Sequence, residues 1–412
     1  MTRTHSTRFL RYAVLLAALP AIAGCDDETL MPPEPAGGDL FARYAAIGNS
    51  ITAGFQSGGI NDSTQRQSYA VLLAGQFGLA VGREFRVPLL ASPGCPPPLV
   101  NAFTQERLAM GTAGDCNLRL PPVPPFLSNV AVPGAAVIDA LTNLDADSDP
   151  NALTTLILGG RTQLEAAAEV APTFVTVWIG NNDVLGSILD AADPGNPALV
   201  TPPATFATRY ADLMSGLDGI GSVQGGALLG VVQVVGAPFL SAGLAYFAAA
   251  QQIPTLTVDQ NCLEVGQIPG GGPEDTAVVF VPFSYGAPLV AQASAGVPTT
   301  LDCSVPQVVS VAETTNLILA VTQYNAAIAA EADARGWVFL DPNALLGQLL
   351  ADPSAIRPFP AFPPDPAAVE APFGTALSRD GIHPSAGTHV AVANALIQGI
   401  NAAYGTSVEP VQ

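Results

Sequence analysis

Lysine is absent from this sequence. All 14 basic residues are arginine, set against 34 acidic ones, and the formal net charge is −20 over 412 residues. Charged side chains make up only 12% of the chain, where roughly 25% is usual. An acidic chain of this kind has no broad basic patch, which excludes a phosphate-backbone partner such as nucleic acid. With 49% apolar residues it is equally far from a disordered acidic tail, which needs low hydrophobicity and high charge. Histidine is scarce too, at three residues.

Long apolar runs are also missing. Tyr12 to Ala23 is a stretch of 12 residues, and a bilayer span needs about 20. Preceded by Arg3, Arg8 and Arg11, it reads as a signal peptide over residues 1–24. The run ends Ile22-Ala23-Gly24-Cys25, which resembles a bacterial lipobox. That resemblance implies lipidation of Cys25 and an anchor in a membrane of the cell envelope, with residues 25–40 as a flexible tether. Ordinary cleavage that leaves a free cysteine is the competing reading.

Four of the five cysteines then remain. Cys95, Cys116, Cys262 and Cys303 allow three pairings. Nearness in sequence favours Cys95–Cys116 and Cys262–Cys303. Each would close one Gly- and Pro-rich insertion, near residues 88–125 and 253–306, and the two insertions are expected to be separate loops. A zinc site is the alternative, but there is neither a C-x-x-C spacing nor a nearby histidine to support it.

Elsewhere strand-like and helix-like segments alternate. Strands are expected at Phe41–Gly48, Thr173–Ile179, Leu228–Val235 and Trp337–Leu340. Helices are expected at Tyr69–Phe77, Ala135–Leu144, Leu153–Val170, Phe206–Leu217, Thr314–Arg335 and Ser385–Tyr404, with a proline-rich loop over Pro353–Pro372. Apolar β-branched strands between helices argue for an α/β fold, a parallel sheet covered on both faces.

The chemistry narrows quickly. His5 falls in the signal segment, so His383 and His389 are the only imidazole bases left. His383 stands three residues after Asp380 in a turn, where a carboxylate can hold Nδ1–H and leave Nε2 free. A simple turn hydrogen bond is the plainer explanation. His389 falls within a helix and reads as packing. Ser50, in Gly48-Asn49-Ser50, follows the first strand at the sheet edge where α/β folds place their sites, though it can equally cap a helix. Gly180-Asn181-Asn182-Asp183 leaves a second strand, either as an Asx turn or with an amide aimed at an oxyanion, and Gly134 can offer a backbone N–H at a helix start.

Taken in order, these four segments resemble the conserved blocks of the GDSL or SGNH hydrolases over about Phe41 to Tyr404, residues 41–405 forming the domain. The resemblance implies a flavodoxin-like three-layer α/β/α sandwich. It implies a triad of Ser50, His383 and Asp380, an oxyanion hole from Ser50, Gly134 and Asn182, and no metal or other cofactor. Hydrolysis of a carboxylic ester follows, of a lipid, a short-chain ester or an acetylated carbohydrate. An inactive binding lipoprotein on the same fold is the rival, and an acyl-transfer enzyme is another. One departure stands out: Asn49 occupies the place where the family usually has aspartate.

Overall fold

The computed structural model describes residues 38–116, 119–361 and 372–412. The expected signal peptide, Cys25 and the tether as far as residue 37 lie outside the described residues.

Four strands form the central sheet: β1 (Tyr44–Gly48), β2 (Phe174–Trp178), β3 (Gly225–Leu229) and β4 (Val338–Leu340). They lie side by side in that order and all pair in parallel. Residues 128–132 run alongside the free edge of β1, where Ala46 N–H donates to Ser128 O and Val130 N–H to Ala46 O. Counting that edge, the spatial order by chain position is 2-1-3-4-5, the flavodoxin-like arrangement.

Every residue of β1, β2 and β3 is buried. Successive side chains go to opposite faces, so each strand feeds two cores. Ala45, Ile47, Val175, Val177 and Leu228 face one core, with helices Val137–Leu141, Gln163–Val170, Pro203–Asp218 and Val311–Arg335. Tyr44, Ala46, Phe174, Trp178, Ala227 and Leu229 face the other, covered by helices Tyr69–Gln76 and Ala386–Tyr404. This is a three-layer sandwich, and it presents the carboxyl ends of β1 and β2 along one edge.

Several boundaries differ from the sequence expectation. The third strand is Gly225–Leu229 rather than 228–235. Its two glycines are required: a Cβ at Gly225 would stand 2.9 Å from the Tyr404 ring, and one at Gly226 would stand 2.5 Å from the Trp337 ring. Past Gly230 the chain leaves the sheet, and the Asn325 amide holds Val231 at both its N–H and its carbonyl. The single helix expected over 153–170 is two, Ala152–Leu158 and Gln163–Val170. Gly159 ends the first in a left-handed conformation, and a Thr162–Glu165 capping box starts the second. Helix Ala135–Leu144 shortens to Val137–Leu141, and helix Pro342–Leu350 was not foreseen.

Both disulfides pair neighbours, Cys95 with Cys116 and Cys262 with Cys303. The insertions are not separate loops, however. Leu240–Ala242 pairs with Phe280–Pro282, and helix Gly243–Ala250 joins the same core, so the second insertion begins earlier than residue 253. Phe103 of the first insertion then packs 5.5 Å from Phe283 of the second. Aromatic contact merges them into one cap beside the sheet edge. The expected proline-rich loop falls partly outside the described residues.

Candidate active site

Gly48 closes β1 where no side chain fits, since a Cβ there would lie 2.6 Å from the Trp178 carbonyl. Asn49 then caps the short helix Ser50–Ala53, its Oδ1 accepting the Ile51 N–H at 3.1 Å. An aspartate oxygen could supply the same cap, and the Asn49 Nδ2 that distinguishes it is buried without a partner, so the structure gives no reason for the asparagine. Ser50 occupies the first helical position, where a backbone N–H has no intrahelical acceptor.

His383 Nε2 lies 2.9 Å from Ser50 Oγ, and His383 Nδ1 lies 2.8 Å from Asp380 Oδ2. The carboxylate is well supplied with donors. Its Oδ1 accepts the N–H groups of Ile382 and His383, both at 2.9 Å, and the Ser378 hydroxyl at 3.1 Å. Burial by itself would raise the Asp380 pKa; the His383 charge and these hydrogen bonds more than reverse that, and hold it at about 2. The turn needs Gly381 (φ +71°), because a Cβ there would meet the Phe373 ring at 2.9 Å. Phe55 packs against the imidazole with ring centroids 4.9 Å apart.

The second and third segments converge on one another. Asn182 Nδ2 donates to the Ala135 carbonyl at 2.9 Å, and Asp183 Oδ2 accepts the Val137 N–H at 2.9 Å. Both residues leaving β2 thus pin the stretch that carries Gly134, whose φ of +88° lies in the left-handed region. The N–H groups of Ser50 and Gly134 donate to no acceptor among the described residues. Asp183 is fully buried, and burial pushes its carboxyl up to about 6 against partial relief from Val137. His389 lies apart from this cluster. It accepts the Tyr69 N–H, and burial lowers its pKa to about 3, so it packs as a neutral ring.

A serine, its imidazole and a carboxylate stand in sequence at one sheet edge, and the model of the GDSL-like lipase/acylhydrolase family matches residues 44–396. The chain belongs to that family. It is a carboxylic ester hydrolase of the GDSL type. Among solved structures it is similar to an acetylxylan esterase from Geobacillus stearothermophilus (14% identity, 90% of this chain and 97% of that one, TM-score 0.38). A catalytic mutant of an acetylxylan esterase from the same organism gives 14% identity over 93% and 100%, TM-score 0.39. An alpha/beta hydrolase enzyme from the metagenome of Lake Arreo, Spain, gives 15% identity over 89% and 98%, TM-score 0.37. Likeness at this level assigns no substrate. No curated protein matches the sequence.

This GDSL hydrolase also uses residues that the sequence did not single out. Ser57 and Gly58 are consecutive residues with positive φ (+56° and +64°). Ser57 N–H donates to Ser378 Oγ at 2.7 Å, and Gly58 N–H to Asp380 Oδ2 at 2.6 Å. Arg107, inside the Cys95–Cys116 loop, donates to the carbonyls of Gly58 and Pro97, both at 2.7 Å. The only hint in the sequence was the Ser57-Gly58-Gly59 turn.

Proposed function

We propose that the protein hydrolyses its ester through an acyl-enzyme on Ser50. The observation that carries this reading is the unbroken chain of two hydrogen bonds from Ser50 through His383 to Asp380. His383 Nε2 takes the Ser50 proton as Oγ attacks the acyl carbon, and the Oγ–C bond forms as the carbonyl oxygen becomes an oxyanion. Asp380 steadies the imidazolium. The oxyanion is received by the N–H groups of Ser50 and Gly134 and the amide of Asn182, whose second Nδ2 hydrogen is not engaged by Ala135. Collapse expels the alcohol, which takes the proton from His383. Water then repeats the cycle and releases the acid.

A fluorophosphonate probe tests the nucleophile. Labelling at Ser50, lost together with p-nitrophenyl ester hydrolysis in Ser50→Ala, is the expected result. A folded wild type that neither labels nor hydrolyses would instead support the binding-lipoprotein reading. For location we propose a lipid-anchored protein of the cell envelope, a reading supported by Ile22-Ala23-Gly24-Cys25 behind a short apolar run.

A further inference from the structure

An apolar slot of about 90 Å³ opens beside the candidate triad. Ile51, the neighbour of Ser50, and His383 line it, whereas Ser50 itself does not. Trp178 at the end of β2, Val234, Leu346 and Leu377 form the rest. Among the described residues no Asp, Glu or Arg lines it. The polar groups on its border are partly engaged inside the protein, and among them Gln233 Oε1 and Asn181 Nδ2 are buried without a partner. Thr388 Oγ1 donates to Ala376 O at 2.6 Å, the Gln233 amide to Ile318 O at 3.3 Å, and Asn181 Oδ1 accepts the Val232 N–H at 3.2 Å.

We propose that this slot receives the acyl chain of the ester, and that the substrate carries a straight, medium-length chain. The inference rests on the Ser50 acyl-enzyme reading. A chain bound covalently at Ser50 must run along a surface within reach of His383, and the slot is apolar there. A sugar ring in the same place would find only Gln233 Oε1 and Asn181 Nδ2 without partners, too few for its several hydroxyls. The size argues likewise. A water-sized group needs about 10–15 Å³ of such space, so the slot holds roughly six to nine such groups. An acetyl group would leave most of it empty. A larger cavity of about 620 Å³, lined by Phe103, Phe239, Phe283 and Phe373, borders Asp380, but neither Ser50 nor His383 lines it.

The experiment compares p-nitrophenyl acetate, butyrate, hexanoate and octanoate on the purified protein, with fluorophosphonate labelling of Ser50 run alongside. Each buried methylene is worth about fourfold, so kcat/KM should rise at least about tenfold from acetate to hexanoate. Ala237 lines the slot, and Ala237→Phe fills it. That variant should lose about tenfold on hexanoate while acetate hydrolysis and Ser50 labelling stay within about threefold. Leu346→Ala enlarges the slot and should move the best chain length towards octanoate. If wild type labels at Ser50 yet hydrolyses acetate as well as hexanoate, the slot does not hold the acyl chain. A chain-length profile unchanged by both variants would overturn the proposal in the same way and place the chain elsewhere, in the Phe-lined cavity for instance. Absence of labelling in the wild type would strike the acyl-enzyme reading itself.

Discussion

Arg107 Nη1 donates to the carbonyl oxygen of Gly58 at 2.7 Å, while the N–H of the same Gly58 donates to Asp380 Oδ2 at 2.6 Å. A guanidinium is thereby linked to the Asp380 carboxylate of the proposed triad through one residue, without touching it. Arg107→Ala should lower kcat and the rate of fluorophosphonate labelling by about tenfold, in line with the loss of one charged hydrogen bond, with KM nearly unchanged. An equal loss on KM alone would show that the arginine acts on substrate rather than on Asp380.

The oxyanion assignment separates from the nucleophile assignment. Asn182→Ala should leave Ser50 present and labelled, yet slow ester turnover about 10²–10³-fold, the usual cost of one donor. His383→Ala should abolish labelling, because His389 is buried against Tyr69 and cannot stand in for it. Asn182→Ala turnover within a factor of two of wild type would remove Asn182 from the oxyanion site.

The two disulfides should differ in function though not in kind. By loop closure, replacing either pair with serine should cost roughly 3–4 kcal/mol of stability. Only removal of Cys95–Cys116 should also slow Ser50 labelling, since Arg107 lies inside that loop and not inside Cys262–Cys303. Equal labelling in both variants, measured at a temperature where both are folded, would sever the loop from the site.

Asp183 makes stability depend on pH in a defined sense. Burial raises its carboxyl from 3.8 to about 6, so the folded state holds the proton more tightly than the unfolded one. The favourable contribution is complete below about pH 3.8 and is lost as pH rises through about 6. Above that, the ionised group costs about 3 kcal/mol. Urea unfolding of wild type and Asp183→Asn across pH 4 to 7 should show the variant gaining on wild type as pH rises. A difference that stays flat across that range would refute the raised pKa. His389, lowered to about 3, acts in the opposite sense: its contribution is lost as pH falls, in both proteins alike, and cancels from the comparison.

Labelling with a fatty-acid analogue checks the envelope anchor. Wild type should incorporate it and Cys25→Ser should not; a labelled serine variant would exclude Cys25 as the acylated residue.

What the sequence made legible was what local chemistry alone determines. The run Thr173–Ile179 is β-branched and aromatic because both its faces are buried, and β2 lies there. Asp380 and His383 stand three residues apart, so their juxtaposition needed only a turn. Other features depend on distant partners. Gly225 and Gly226 look like strand breakers until Trp337 and Tyr404 are seen occupying the space their side chains would take. Arg107 reaches Gly58 across 49 positions, and nothing in its neighbourhood announces it. Phe103 and Phe283 read as ordinary loop aromatics, although their contact joins the two insertions.

The chain from Ser50 to His383 is 333 residues long, and synthesis runs from the first to the second. For most of its production the polypeptide carries a serine with no base. On the proposed mechanism competence arrives late, when the Asp380–His383 turn has formed and the helix Ala386–Tyr404 has closed over Tyr44, Phe174 and Trp178. By the same mechanism, a fragment halted before Asp380 would carry Ser50 but lack both its base and the helix that covers one face of β1, β2 and β3. Under that mechanism the order of the chain acts as a timer, because the base is made 333 positions after the nucleophile.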